Sequence, residues 1–240
     1  MTKRFGFTLA EVLITLGIIG VVAAMTIPTL VSNTNGAQFK TAYKKALSTL
    51  NQGILMNVAM DDTDFSSVAK ADATSGTTIA SILGERMNAS EITNYPTDVS
   101  LKLGSGDDAK TNELTYTFAC GATGSANAGK HADGTALATG ESCEGTVGTG
   151  TVTMDSAIAN YKKYAFADGT AFLFHKDATN CSKENVTTNK CYGYIDVNGA
   201  NNPNTVISDA DSVQDLFPVI FYGQTVEPAS DAARSVLFGK

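Results

Sequence analysis

The sequence has few of the residues from which catalytic centres and metal sites are built. It contains two histidines, His131 and His175, and neither belongs to a His-Glu-x-x-His pattern or lies beside closely spaced cysteines. A nucleophile elbow is absent, and no glycine-rich segment matches a dinucleotide fingerprint or a phosphate-binding loop in its strand-to-helix context. The sequence therefore predicts no catalytic residues, and we expect the protein not to be an enzyme.

Basic residues are also scarce. The chain has 17 Lys and Arg against 24 Asp and Glu, a net charge of −7. This balance argues against a large nucleic-acid surface, although a sum of charges does not exclude a local basic patch. The length of 240 residues fits one core-forming domain with an N-terminal appendage.

Long apolar runs are confined to the N-terminus, where residues from Phe7 to Leu30 are almost all apolar. About 24 helical residues, at ~1.5 Å each, cross the ~30 Å hydrocarbon core of a bilayer. A removable signal peptide, a permanent anchor and an assembly helix all fit this length. A signal peptide cleaved near Val22 to Ala24 would not account for the apolar residues that continue to Leu30. Neither a signal peptide nor a plain anchor explains Glu11 inside an apolar segment.

Residues 3–11 read KRFGFTLAE, and this segment resembles the leader junction of type IV pilins and type II secretion pseudopilins. The resemblance covers about residues 1 to 55. It implies that prepilin peptidase cuts between Gly6 and Phe7 and that the new N-terminus at Phe7 is methylated. It also makes Pro28 part of a long helix that kinks or melts locally when subunits pack into a filament.

The same resemblance assigns Glu11 a role in assembly. Cleavage would create an amine at Phe7, one helical turn from Glu11, and a pair between these charges or their equivalents in neighbouring subunits offsets the burial of either one. An interfacial carboxylate in an ordinary anchor is the other explanation. The implied segments are a leader (1–6), a transmembrane or assembly helix (7–31), the amphipathic second half of that spine (32–60) and a globular domain (61–240).

The residues after Pro28 predict an amphipathic helix, because apolar side chains recur at helical spacing. These are Phe39, Tyr43, Ala46, Leu47, Leu50, Ile54 and Val58. We expect this face to pack on a sheet. Pro28 and Gly36 are the positions where the helix could bend or unwind.

The remainder predicts short elements. TTIASILGERM (77–87) indicates a helix, ELTYTF (113–118) a strand, and residues 121–150 a loop. KKYAFADGTAFLFHKD (162–177) predicts a hairpin with a two-residue turn at Asp168-Gly169. Further strands are predicted at 192–197 and 216–222, the latter at an edge or with a bulge because of Pro218. The resulting fold class is α+β, with a long N-terminal helix packed on a small antiparallel sheet of three to five strands.

All four cysteines follow the apolar segment, which fits a domain that folds outside the cytoplasm. Three connectivities are possible. We favour Cys120 with Cys143 and Cys181 with Cys191, because each bond closes a polar loop with little core of its own. Zinc is the rival interpretation, and the spacing does not favour it.

The segment YIDVNGANNPNTVISDAD (194–211) concentrates oxygen ligands of the kind that calcium prefers. The predicted ligands are Asp196, Asn198, Asn202 and Asp209. The spacing begins like an EF-hand loop but lacks the final Glu and the flanking helices. A turn-rich loop whose Asp and Asn side chains cap their own backbone is the alternative.

The sequence thus predicts a structural subunit of a type IV pilus or a type II secretion pseudopilus. Its expected location is the bacterial inner membrane, with the globular domain outside, and then the filament. The expected partners are prepilin peptidase, copies of itself or other pilins, and the assembly machinery. A membrane-anchored or secreted envelope binding protein, or an enzyme, with a calcium-stabilised domain is the alternative. Which kind of filament it forms, and whether as major or minor subunit, is left open.

Overall fold

A computed structural model describes residues 8–99, 101, 113–119, 147–183, 185–186, 188–209, 211 and 213–238. The chain divides into two compact units, Met1–Gln38 and Phe39–Lys240. The predicted processing residues Gly6 and Phe7 lie outside the described residues, as do Cys120 and Cys143.

One helix, α1, covers Leu9–Asp61 and is 53 residues long. Pro28 and Gly36, where the sequence predicted that the helix could bend or unwind, both have helical backbone. In the first unit the described side chains of this helix are nearly all exposed. In the second unit the helix is amphipathic, as predicted, and buries Tyr43, Ala46, Leu47, Leu50 and Ile54.

The described residues of the second unit also contain two further helices, two short 3-10 turns and eight strands. The helices are α2 (Ile79–Met87) and α3 (Asp231–Phe238), and two short 3-10 turns occur at Phe65–Ser67 and Ile158–Asn160. The strands are β1 (Ser90–Glu91), β2 (Glu113–Ala119), β3 (Val147–Thr153), β4 (Tyr161–Ala165), β5 (Ala171–His175), β6 (Tyr192–Asp196), β7 (Leu216–Tyr222) and β8 (Thr225–Pro228).

The strands form one large sheet and one small one. The large sheet has six antiparallel strands in the order β1-β4-β5-β6-β7-β8, while β2 and β3 pair with each other. The predicted α+β class is confirmed. The expectation of three to five strands is wrong for the large sheet, because the short strands β1 and β8 extend its two edges. The predicted loop 121–150 is also wrong over its last four residues, which begin β3.

The hairpin predicted around Asp168 and Gly169 is present as β4 and β5. Its turn has three residues instead of the predicted two. The Phe166 amide donates to the Thr170 carbonyl at 2.8 Å, and the Gly169 amide donates to the Phe166 carbonyl at 3.0 Å. Gly169 has a φ of +87°, which a glycine adopts without strain. A turn closed by a left-handed glycine is the common solution for a hairpin loop of this length.

The sequence predicted an edge strand or a bulge at Pro218, and of these the edge position is wrong. Its strand, β7, pairs with both β6 and β8. The Pro218 carbonyl accepts a hydrogen bond from the Ala229 amide at 2.9 Å, just beyond the last residue of β8, Pro228. The N–H and C=O of one strand residue point toward the same neighbouring strand, so a Pro218 N–H would also point toward β8. Pro218 lies at the end of the β7–β8 pairing, and its missing N–H therefore breaks no hydrogen bond between the two strands.

Two contacts position α1 on the sheet. The ring of Tyr43 stacks on that of Phe217 in β7, with centroids 4.0 Å apart. The Asn51 amide makes two hydrogen bonds to the backbone of Val226 in β8, accepting from its N–H at 2.8 Å and donating to its carbonyl at 3.1 Å. The second contact caps the outer edge of the sheet with a side chain from the helix.

Candidate functional site

The N-terminal half of α1 presents a long apolar surface. A segment of 19 residues, Leu9–Ile27, has a mean hydropathy of 2.2, and none of it is buried against described residues. The exposed fractions of its large side chains run from 45% at Val12 to 79% at Leu9. Such a surface is stable only in an apolar environment, which a bilayer or other apolar helices supply. The length and composition of Leu9–Ile27 also fit a signal sequence. What this segment does is therefore decided by the residues around it.

Glu11 closes the first turn of this helix together with Thr8. The Thr8 backbone amide and hydroxyl both donate to Glu11 Oε2 at 2.8 Å, and the Glu11 amide donates to the Thr8 hydroxyl at 3.3 Å. This reciprocal pattern is a capping box, in which an N-cap Thr and a Glu three residues later satisfy the free amides of a helix start. The sequence analysis missed this role, although the spacing T-L-A-E ahead of an apolar run carries the signal.

The other predicted processing and assembly residues are described only in part. Gly6 and Phe7 lie outside the described residues, so the cleavage site and the pairing of Glu11 with the Phe7 amine stay predictions. Pro28 has helical backbone within α1. Its predicted role in filament packing also stays a prediction.

The disulfide between Cys181 and Cys191 is present, as predicted, with a Cα–Cα distance of 5.6 Å. It fastens a loop to the sheet, since the Cys181 amide donates to the Phe65 carbonyl at 2.7 Å and the Phe221 amide donates to the Cys191 carbonyl at 3.0 Å. The predicted partner pair, Cys120 and Cys143, lies outside the described residues. The bond is consistent with folding in an oxidising compartment.

Asp196 is the predicted calcium ligand that lies deepest in the protein. It ends β6 and is fully buried, and its Oδ2 accepts a hydrogen bond of 2.6 Å from the hydroxyl of Tyr95. A second buried carboxylate, Asp215, lies nearby; its two oxygens accept from the amides of Asn204 and Thr205 at 2.7 Å each. The sequence analysis missed Asp215, because it lies 19 residues from Asp196 and outside the segment that concentrates oxygen ligands.

Both carboxyl groups are less acidic than usual. Burial raises the pKa of Asp196 to about 7, and the charge of Asp215 acts in the same direction, while the Tyr95 hydroxyl and the Asn198 amide oppose it. Burial also raises the pKa of Asp215 against the hydrogen bonds from Thr205 and Asn204. Two buried carboxyls in one neighbourhood resist ionising together. A cation between them would relieve this effect.

The remaining predicted ligands differ in position. The Asn198 side chain donates to the Asn202 carbonyl at 3.0 Å, and its Oδ1 is buried without a hydrogen-bond partner among the described residues. The Asn202 and Asp209 side chains are exposed, and Asp209 Oδ1 accepts from the Asp211 amide at 3.0 Å. Asn198 likewise donates its amide to Asp196 at 3.1 Å, so the predicted self-capping turns are present. Within the described ranges, no three His, Cys, Asp or Glu side chains are grouped for a metal.

His175 lies in a second group of buried titratable side chains, apart from Asp196 and Asp215. It is 1% exposed at the end of β5, and its Nδ1 accepts a hydrogen bond from the Asp177 amide at 3.1 Å. Its Nε2 lies 3.6 Å from Asp155 Oδ2, too far for a hydrogen bond. Burial lowers the pKa of His175, and the positive charge of Lys190 acts in the same direction. The other histidine, His131, lies outside the described residues.

Comparison with known proteins bears on the N-terminus. Residues 1–27 match the family model for the prokaryotic N-terminal methylation motif, which is the signal of type IV pilins and pseudopilins. The match includes Gly6, Phe7 and Glu11. No curated protein and no solved structure matched the chain. The motif, the exposed apolar helix and the disulfide together fit a membrane-anchored prepilin.

Proposed function

We propose that this chain is a structural subunit of a type IV pilus or a type II secretion pseudopilus, cut by prepilin peptidase after Gly6 and polymerised through its N-terminal helix. The observation that carries the proposal is the methylation motif over residues 1–27. A motif of this kind implies processing by the peptidase and assembly into filaments. The chain would be held in the inner membrane before assembly, with its globular unit outside.

The exposed helix supports this mechanism. Copies that bring their Leu9–Ile27 segments together exchange contact with lipid for contact with other helices. Added Cβ atoms at Gly17 and Gly20 would meet nothing within 4 Å, so packing inside the described chain does not require these glycines. Between helices, small residues allow the backbones to approach closely.

Glu11 can serve both the helix and the filament. Both hydrogen bonds from Thr8 go to Oε2, and among the described residues Oε1 accepts none. Oε1 is therefore the atom we assign to the methylated amine of Phe7 in a neighbouring copy. This pairing would place a positive charge beside a carboxylate that otherwise lies in an apolar filament core.

The first test is the N-terminus of the mature protein. Full-length protein is expressed with and without prepilin peptidase, purified from membranes, and analysed by intact mass and N-terminal sequencing. We expect a chain that begins at Phe7 only when the peptidase is present. A chain that begins near Met25, or that keeps Met1 in the presence of the peptidase, would contradict the proposal.

A second test separates the two roles of Glu11. Glu11→Gln keeps an acceptor for the cap but removes the charge, whereas Thr8→Ala weakens the cap but keeps the charge. If the charge drives assembly, Glu11→Gln abolishes filaments in a reconstituted assembly system and Thr8→Ala reduces them only partly. Equal behaviour of Glu11→Gln and wild type would leave the cap as the role of Glu11.

We also propose that the buried carboxylates hold a calcium ion, with a donor set that differs from the one predicted. Asp196 and Asn198 remain in the set, while Asp215 replaces the exposed Asp209. The support is the buried Oδ1 of Asn198, which lacks a donor, beside two carboxyls whose pKa values are raised. Calcium would neutralise the pair and tie the connection between β6 and β7 to the sheet.

The calcium proposal is tested by thermal unfolding of the full-length protein in detergent, with calcium, with magnesium or with a chelator. We expect calcium alone to raise the unfolding temperature and Asp215→Asn to remove this effect. Asp209→Asn is the matched control and keeps the effect. No shift with calcium, or a shift lost in Asp209→Asn but kept in Asp215→Asn, would overturn the assignment.

A further inference from the structure

Two methionines lie side by side on the uncovered face of α1 in the second unit. Met56 and Met60 are 53% and 60% exposed, and beside them Leu55 is 51% exposed; we call these three residues the α1 patch. Residues four positions apart on a helix are neighbours on its surface, with Cβ atoms ~5–6 Å apart. The two thioether groups therefore stand together at the surface of a folded helix.

The other two methionines of this unit are shielded by the fold. Met154 is 2% exposed. Met87 is partly buried, and its side chain lies so close to Gly53 of α1 that a Cβ atom there would have no room. The fold thus divides the methionines of the second unit into an exposed pair and a shielded pair.

We propose that Met56 and Met60 form a site of reversible oxidation by peroxides, at which the α1 patch changes from apolar to polar while the fold is kept. The thioether sulfur attacks a peroxide oxygen, so that an S–O bond forms and the O–O bond breaks. Sulfur loses two electrons, and hydrogen peroxide leaves as water. A methionine sulfoxide reductase reverses the step, because its two thiols become a disulfide while the sulfoxide oxygen leaves as water.

The positions of the methionines explain why the fold tolerates this oxidation. A sulfoxide is polar, and burying its oxygen without a hydrogen-bond donor is costly. At Met56 and Met60 the new oxygens face water, so they cost the folded state little. Met154 can react only when the fold opens around it. Oxidation of the exposed pair therefore changes the surface of the unit and leaves its core unchanged.

The compartment supplies the encounter with an oxidant. The disulfide between Cys181 and Cys191 is consistent with folding in an oxidising compartment, and the proposed function places the second unit outside the membrane. The inference rests on the proposed function for this encounter alone, since the order of reactivity among the methionines depends only on the fold. Exposed apolar patches commonly mark interaction surfaces, and oxidation disrupts those that are rich in methionine.

Treatment of the full-length protein in detergent with hydrogen peroxide, followed by peptide mass mapping, tests the order of reaction. We expect Met56 and Met60 each to gain one oxygen at least about tenfold faster than Met154, and Met87 to react more slowly than the exposed pair. In urea all four should react at similar rates, because the unfolded chain protects none of them. Met25, which is 72% exposed in the apolar segment, is replaced by leucine in every protein compared.

Thermal unfolding of the oxidised protein tests whether the fold is kept. Peroxide treatment is stopped when Met56 and Met60 are oxidised and Met154 is not. The unfolding temperature should then be unchanged, and methionine sulfoxide reductases should restore the original mass. The double variant Met56→Leu/Met60→Leu is the matched control, because it keeps the α1 patch apolar and should take up no oxygen in the same time.

Three results would overturn the inference. These are equal rates for Met56 and Met154 in the folded protein, a rate difference that persists in urea, and a fall in the unfolding temperature of oxidised wild type that the treated double variant does not show. Sulfoxides that the reductases cannot reduce would overturn the reversibility. None of these results bears on the proposed function, which the mature N-terminus decides, and a chain left uncut at Gly6 would keep the same order of oxidation.

Discussion

Glu11 and Thr8 close the first turn of α1 through hydrogen bonds that run in both directions between them. This finding changes what a substitution of Glu11 tests. A glutamate in an apolar helix near the N-terminus suggests a charge role alone, but here the same carboxylate also satisfies the amide of Thr8. Loss of assembly in a Glu11 variant therefore has two physical explanations, and the cap must be measured by itself.

We predict that Thr8→Ala opens the first turn of α1. Removing a Ser or Thr N-cap typically costs ~1 kcal/mol, which corresponds to about a fivefold change in an opening equilibrium. Hydrogen exchange of the first-turn amides, measured on full-length protein in detergent micelles, should accelerate by about this factor. Thr8→Ser should keep the wild-type rate. Thr15→Ala is the control, because the Thr15 hydroxyl bonds the Val12 carbonyl within the helix instead of capping it.

We predict that the two hydrogen bonds from the Asn51 side chain to Val226 stabilise the folded state. Asn51→Ala leaves the amide and the carbonyl of Val226 without their protein partners at the edge of the sheet, and losing one partner of a buried hydrogen bond costs about 1 to 3 kcal/mol. We expect urea unfolding of full-length protein to show a loss in this range. Gln52→Ala, one residue away and exposed, is the control and should change stability by less than ~0.5 kcal/mol. Equal losses in both variants would contradict the edge-capping role.

The sequence predicted those parts of the fold that extend over many residues. The buried face of α1 and the hairpin at Gly169 follow from helical spacing and from turn chemistry, which are local properties. Strand β8, at Thr225–Pro228, and helix α3 were missed, because four and eight residues are too few for a clear period. Strand β3 was missed as a whole, since its sequence VGTGTVT has little bulk and its strand character depends on pairing with β2.

The candidate sites, like the strands, were predictable only where their residues are close together in the sequence. The N-terminal motif is contiguous, so the sequence alone indicated it. Asp215 joins Asp196 only through the pairing of β6 with β7, and Tyr95 reaches Asp196 from 101 residues away. A cluster assembled from such distant segments has no sequence signal, which is why the predicted ligand set included the exposed Asp209 and omitted the buried Asp215.

We predict that the disulfide supports the sheet through the loop it closes. Cys181 and Cys191 are separated by 10 positions in the sequence, and replacing both by serine opens the loop between them. The double variant should lose about 2 to 3 kcal/mol of unfolding free energy. The measurement is urea unfolding of full-length protein under oxidising conditions. Ser182→Ala, next to Cys181, is the control. A double variant as stable as that control would show that backbone hydrogen bonds alone hold the loop.

His175 should make the folded state sensitive to mild acid. Because Nδ1 accepts the Asp177 amide, the neutral ring carries its proton on Nε2, and protonation of Nδ1 would break that hydrogen bond. The rings of Tyr161 and Tyr192 lie 5.5 Å away and leave little water around the ring, and burial lowers the pKa of His175 below its ordinary 6.5. Asp155 and Asp177 oppose this shift without reversing it.

The direction of the pH effect follows from the lowered pKa. Below pH 6.5 the unfolded chain binds the proton more readily than the folded chain, so the stability from His175 is complete above pH 6.5 and is lost as the pH falls. The raised pKa of Asp196 acts in the opposite sense but is common to wild type and variant. We therefore expect wild type to lose more unfolding free energy than His175→Gln when the pH is lowered from 7.5 to 5. Urea unfolding at both pH values measures it, with Lys176→Gln, at the exposed position next to His175, as the control that keeps the wild-type dependence. A difference that does not change with pH would show that the folded and unfolded chains protonate His175 equally, which would contradict a pKa lowered by folding.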